Sequence, residues 1–126
     1  MFEITIGGNA YQFKFGMGFM REVNKKISQA VDGAPDIKKN VGLNYAVAGI
    51  IDGDVEELVN VLFAANQGMT PRVTKQLLDN YIDDECEDID KLFEDVLDFL
   101  GKANATKKAV KNIQEAVEAE KAKAEM

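Results

Sequence analysis

The densest group of chemistry-bearing side chains in this 126-residue sequence is DDECEDIDKLFE, which starts at Asp83. Counted from Asp83, carboxylates fall at positions 1, 3, 5 and 12 (Asp83, Glu85, Glu87 and Glu94), where a calcium-binding EF-hand loop places oxygen ligands. Position 6 is Asp88 rather than the glycine that permits the sharp turn of such a loop, and Asp90 stands at position 8, where an apolar side chain is usual. The stretch therefore reads as a polar turn between helices, with Asp88 and Asp90 favourably placed near a positive helix N-terminus. Cys86 lies among these acids, the reverse of the cationic surroundings that activate a thiolate. As the single cysteine it permits no intrachain disulfide and no cysteine metal cluster.

What is missing narrows the chemistry further. The sequence has no histidine, which removes the commonest general base and metal ligand, and Ser28 is its one serine. A Ser-His-Asp or Cys-His nucleophilic site cannot be assembled. The GxG in FKFGMGFM lacks the third glycine and the following βαβ unit of a nucleotide loop, so it reads as a turn into a helix. Lys25-Lys26, Lys38-Lys39 and Lys107-Lys108 are scattered pairs on solvated faces rather than a stripe. The expectation is a protein that is not an enzyme and uses no cofactor and no metal.

Net charge points the same way. The formal charge is −7, from 15 basic and 22 acidic residues. The segment Asp79 to Asp98 carries ten acids against one lysine, or −9, and the rest sums to +2. This balance argues against binding a phosphate backbone. The short Gly68-Met69-Thr70 turn prompts a helix-turn-helix reading, but the helix after it offers only Arg72 and Lys75 as cations. The N-terminus lacks a basic segment followed by a long apolar run, and no apolar stretch approaches the ~20 residues of a membrane span. A cytoplasmic protein with no membrane and no nucleic-acid partner is expected.

These residues must be carried by elements, and the sequence is rich in boundary signals. FEITIGGNAYQFKF alternates apolar and polar residues on both sides of a glycine-containing turn, which predicts a β-hairpin over 2–15. A tight turn at Gly8-Asn9 would pair Ile6 with Tyr11, Ile4 with Phe13 and Phe2 with Phe15. It would also set Glu3 opposite Lys14, a cross-strand pair worth a few tenths of a kcal/mol, roughly. A first helix follows from Met17 to Val31, stopped by Asp32-Gly33-Ala34-Pro35. A polar connection, 36–41, leads to a short buried helix from Leu43 to Ile51.

Asp52-Gly53-Asp54 is a turn whose aspartates can cap the helix Val55–Gln67. Thr70-Pro71 predicts the next start, with threonine as N-cap and proline at the first helical position, running to about Asp84. Ile89, Leu92, Phe93, Val96, Leu97 and Leu100 form the cleanest amphipathic stripe. A last helix from Thr106 has a narrow apolar seam of Val110, Ile113 and Val117. The expected fold is mainly α, a helical bundle-like single domain over 1–126 with an N-terminal hairpin. A helical core spans 17–104, and the C-terminal helix, 106–126, is protruding or frayed at its end.

Some apolar residues exceed what one core face needs. Val61 and Phe99 fall off the main stripes of their helices, and Met17 and Phe19 widen the apolar arc of the first. Either the core wraps these helices on more than one side, or the residues line an interface groove for another subunit or an apolar partner. With Phe2 and Phe13 from the hairpin's aromatic face, Met17, Phe19, Val61 and Phe99 are the candidate partner-binding residues.

Four stretches taken together resemble a known family. They are the hairpin running into FGMGFMREVNK, then GDVEELVNVLFAANQ, then TPRVTKQLLDNYIDD, then DIDKLFEDVLDFLGKANATKK. In this order they cover most of residues 2–108 and are similar to the tail assembly chaperones of long-tailed phages of Gram-positive bacteria. The resemblance implies a non-enzymatic role: coating the tape measure protein, keeping it soluble, and helping the tail tube protein polymerise around it. It further implies self-association, action in the host bacterial cytoplasm and absence from the mature virion. A structural tail or head-tail connector protein retained in the virion is the alternative.

Overall fold

The computed structural model describes residues 2–27 and 41–124. The predicted extension of the first helix to Val31, its Asp32–Pro35 stop and most of the connection 36–41 lie outside the described residues. Within them the chain is mainly helical, with an N-terminal two-stranded antiparallel hairpin. The strands are β1 (Phe2–Ile6) and β2 (Asn9–Phe13). The helices are α1 (Met17–Ile27), α2 (Val41–Asp52), α3 (Val55–Ala65), α4 (Lys75–Asn80), α5 (Ile89–Lys102) and α6 (Lys107–Ala124).

The hairpin forms with the expected inward face but in a different register. Phe2 pairs with Phe13, Ile4 with Tyr11 and Ile6 with Asn9, around a turn at Gly7-Gly8. Both glycines have positive φ, +57° and +84°, as a primed two-residue turn requires at both central positions. Gly-Gly meets that demand without the Cβ penalty that Asn9 would meet in Gly8-Asn9. The slip relative to expectation is even, so the same side chains stay inward. Ile4, Ile6, Tyr11, Phe13 and Phe15 are all buried. Glu3 now faces Gln12 rather than Lys14, and the Gln12 amide donates to the Glu3 carboxylate.

The helices form where periodicity and caps coincide. Asp54 caps α3 by accepting from the Glu57 N–H at 3.2 Å, and Gly53 takes the left-handed conformation before it. α3 packs against α1, α2 and α4. Its buried residues, Leu58, Val59, Val61, Leu62, Ala64 and Ala65, face more than one direction for that reason. α2 also contacts α1, α5 and α6, and α6 lies against both α2 and α5. Gly42 permits the closest approach: a Cβ there would stand 2.0 Å from the Val23 carbonyl oxygen. Asn24 Oδ1 accepts from the Leu43 N–H at 2.8 Å across the same contact.

One predicted helix start is corrected. Residues 70–74 are not helical; α4 begins at Lys75 and is capped by Thr74, whose side chain accepts from the Leu77 N–H at 3.1 Å. The cause is Asn66, fully buried at the end of α3. Its side-chain oxygen accepts from the Val73 N–H at 2.6 Å, and its amide donates to the Pro71 carbonyl at 3.3 Å. These bonds hold 71–73 in an irregular path, so the next capping residue starts the helix. The resulting connection from Asn66 to Thr74 is longer than the turn of a helix-turn-helix motif. Arg72 is spent within it, its guanidinium 4.3 Å from the Phe63 ring centroid and bonded to the Phe63 carbonyl at 3.1 Å.

α4 runs into a single π-helical turn, Tyr81–Glu85, closed by the Cys86 N–H donating to the Tyr81 carbonyl at 2.7 Å. Asp88 then caps α5, accepting from the Lys91 N–H at 3.1 Å. The acidic stretch thus serves as the junction between two helices, with Asp88 used as a cap. α6 carries the expected seam, with Val110 buried and Ile113 and Val117 half-buried.

Candidate partner-binding groove

Phenylalanines from distant parts of the sequence converge at one end of the fold. Phe2 of β1 stacks obliquely on Phe99 of α5, with ring centroids 5.1 Å apart, and on Phe13 at 6.0 Å. Phe15, just past β2, lies 6.5 Å from Phe99 and meets Phe19 of α1 edge-on at 5.2 Å. Such pairs prefer offset and edge-to-face geometries because the ring faces are negative and the edges positive. The cluster fastens the hairpin to α1 and α5 at once.

Beside it opens a groove of about 600 Å³. One wall is the strand-to-helix passage Phe13–Gly18, and the other is Phe99 with the α5–α6 corner, Ala103, Asn104 and Ala105. That corner is firmly held. The Ala103 N–H donates to the Phe99 carbonyl at 3.1 Å, and the Lys107 N–H to the Ala103 carbonyl at 2.8 Å. The buried Thr106 hydroxyl donates to the Leu100 carbonyl at 2.5 Å, satisfying an acceptor that the end of α5 would otherwise orphan. Lys14 is the one ionisable residue along the lining. Its backbone N–H donates to the Ala65 carbonyl at 2.9 Å, which ties the passage to the end of α3.

The six residues singled out from sequence separate into groups. Phe13, Met17 and Phe99 line the groove. Met17 is 48% exposed, Phe99 is half-buried, and Phe13 forms the floor at 0%. Phe2 is half-buried and braces Phe99 from the hairpin side. Phe19 and Val61, at 3% and 0% exposure, are core residues of the monomer. Val61 lies on α3, away from the groove lining, because α3 is covered on several sides. Sequence patterning passed over Phe15 and the Ala103–Ala105 corner. From sequence Phe15 reads only as part of the hairpin's apolar face, and alanines in a turn carry no apolar periodicity.

The groove has the composition of a surface for apolar contact, and its lining lacks any pair of groups suited to proton transfer or nucleophilic attack. Among the described residues, no group of three or more acidic or cysteine side chains converges as a metal ion would require. None of the described helices is long and apolar enough to cross a membrane.

A family model described as phage tail assembly chaperone protein, TAC, matches residues 3–115. No curated protein and no solved structure gave a match. The family match spans β1 from Glu3 onward, β2, the passage into α1, α5 and the α5–α6 corner, so it includes every residue of the groove lining. The chain belongs to the phage tail assembly chaperone family.

Proposed function

We propose that this phage tail assembly chaperone acts by holding an apolar helical segment of the tape measure protein in the groove between the Phe13–Gly18 passage and Phe99. The observation that carries the reading is the exposure of Met17 beside half-buried Phe99, over a floor already closed by Phe13. A methionine at the mouth adapts to different apolar side chains, while the aromatic floor supplies fixed area. Several copies along one tape measure protein would cover its apolar face and keep it soluble until the tail tube protein polymerises around it. The net charge of −7 keeps free copies apart. On this reading the protein is not an enzyme. It works in the host bacterial cytoplasm, self-associates only along its client and is absent from the mature virion.

Co-expression with the tape measure protein of the same phage, followed by pull-down and size-exclusion chromatography with light scattering, tests this. The expected result is a soluble complex from a client that is insoluble alone. Met17→Glu should weaken the complex by roughly tenfold or more, because desolvating the carboxylate under a client costs more than pairing with the exposed Lys14 returns. Its own melting temperature should stay nearly unchanged, since Met17 is exposed. No complex, or an undiminished complex with Met17→Glu, would remove the groove from the mechanism. Recovery of the protein from purified virions would favour the structural tail or connector role instead.

A further inference from the structure

The hairpin has two outer edges, and they differ. In the observed register Ile6 and Asn9 flank the two-residue turn, so Phe2, Ile4 and Ile6 direct their N–H and C=O groups to β2, while Glu3 and Thr5 direct theirs outward. On β2 the outward groups belong to Ala10 and Gln12, followed by Lys14 beyond the strand. Two of these are taken: the Gln12 carbonyl accepts from the Asn66 side chain at 2.9 Å, and the Lys14 N–H donates to the Ala65 carbonyl. The end of α3 thus obstructs the β2 edge at Gln12 and Lys14. On the β1 edge, no backbone hydrogen bond to Glu3 or Thr5 outside the ladder is present among the described residues.

Alongside that edge runs a trough of about 440 Å³ whose far wall is the π-helical turn and α5. Four carboxylates line it, those of Glu3, Glu85, Glu87 and Asp95, and no lysine or arginine does. Glu85 also ties the trough together, its carboxylate accepting from the Gly7 N–H at 3.0 and 3.3 Å. Lys91, 3.5 Å from Asp95, offsets one charge from outside. The trough and the aromatic groove share no lining residue.

We propose that the outer edge of β1 takes an extended, lysine- or arginine-bearing segment of a partner protein as a third strand. Unpaired outward backbone groups supply the ladder, and the acidic trough selects the charge. A second copy of this chain is a poor occupant. With α3 obstructing β2 at Gln12 and Lys14, the full-length pairing open to two copies is β1 to β1, which would set Glu3, Glu87 and Asp95 of one against those of the other. The inference stands apart from the groove and survives if the groove reading fails.

The test uses the full chain, isotope-labelled, titrated with a short capped peptide of alternating lysine and valine. A matching glutamate–valine peptide is the control. The lysine peptide should shift the Glu3 and Thr5 amide resonances and slow their exchange. Binding should weaken several-fold as salt rises from about 0.05 to 0.5 M, since exposed charges are screened. Thr5→Pro deletes an outward donor at a site where an edge strand tolerates proline, and should weaken binding by roughly tenfold. Should that variant misfold, Glu3→Lys combined with Glu87→Lys should give a loss of similar size. Equal binding of the two peptides, or unchanged affinity in a folded Thr5→Pro, would overturn the proposal. So would a dimer in light scattering that Thr5→Pro abolishes.

Discussion

Replacing Asn66 by alanine should be among the most damaging single changes in the chain, although Asn66 touches neither groove. The side chain is fully buried and makes four hydrogen bonds. Its oxygen accepts from the Val73 N–H at 2.6 Å and from Arg72 Nη1 at 2.7 Å, and its amide donates to the Gln12 carbonyl at 2.9 Å and the Pro71 carbonyl at 3.3 Å. Arg72 is exposed and can turn to water, so its loss costs little. The Val73 N–H lies in the core, and leaving it unpaired costs about 1–3 kcal/mol. The two carbonyls are partly buried and each forfeits a bond with a net worth of about 1 kcal/mol. The expected loss is therefore about 3–5 kcal/mol, a large share of the roughly 5–15 kcal/mol that holds such a domain together. Urea unfolding followed by circular dichroism should show it as a lower midpoint with an unchanged slope. Thermal melting should fall by roughly 10–20 °C. Asn66→Asp keeps the acceptor but aims a second oxygen at the Gln12 and Pro71 carbonyls, so it should also destabilise. A loss below about 1 kcal/mol for Asn66→Ala would show that the Asn66 bonds do not organise the connection between α3 and α4.

Three further outcomes follow from the packing. Gly42→Ala should destabilise by about 1–3 kcal/mol despite alanine's better helix propensity, because the added Cβ meets backbone atoms of Val23 and Asn24 that cannot rotate away; a melting temperature at or above that of the parent would contradict the close approach of α1 and α2. Thr106→Val should cost about 1–3 kcal/mol by leaving the Leu100 carbonyl unpaired, with Thr106→Ser largely restoring stability; equal stability of the valine and serine variants would refute the role of the hydroxyl. Tyr81 holds its proton above the usual tyrosine range, chiefly through partial burial and then through Cys86 and Glu85. That contribution to stability is complete below about pH 10 and is lost as pH rises toward the folded value, so the stability difference between the parent and Tyr81→Phe should shrink in strong alkali; a difference independent of pH would exclude it.

Much of this fold could be read from local signals. The α5 stripe, the Asp54 and Asp88 caps and the α6 seam follow from spacing and side-chain chemistry that act within one turn of chain. The acidic stretch is legible as a helix junction because the missing glycine at Asp88 and the carboxylate of Asp90 at a usually apolar position both speak against a metal loop. What escaped reading depends on partners distant in sequence. The start of α4 is decided by Asn66, which reaches forward to Pro71 and Val73 in a way no N-cap pattern reveals. The groove was half legible: Met17 and Phe99 stood out as excess apolar residues, but the alanine corner opposite them exists only because Thr106 folds back on Leu100. Phe19 and Val61 looked equally surplus and are core, because the number of neighbours around α1 and α3 is a property of the assembled bundle.

The two possible hairpin registers differ in more than turn residues. With the turn at Gly8-Asn9, Gln12 and Lys14 would sit in hydrogen-bonded pairs with Thr5 and Glu3, and their backbone groups would point into the ribbon. With the turn at Gly7-Gly8 the same groups point outward, where Asn66 and Ala65 engage them. Both arrangements hide the same apolar face, so hydrophobic collapse alone does not discriminate between them. The end of α3 therefore acts as a gauge that reads parity: it accepts one register and finds no donor or acceptor in the other. A hairpin forms in about 1–10 μs and can sample both arrangements, but its commitment must wait for α3. Mutations at Asn66 should accordingly populate a slipped ribbon during refolding, an error that is proofread by a helix more than fifty residues downstream.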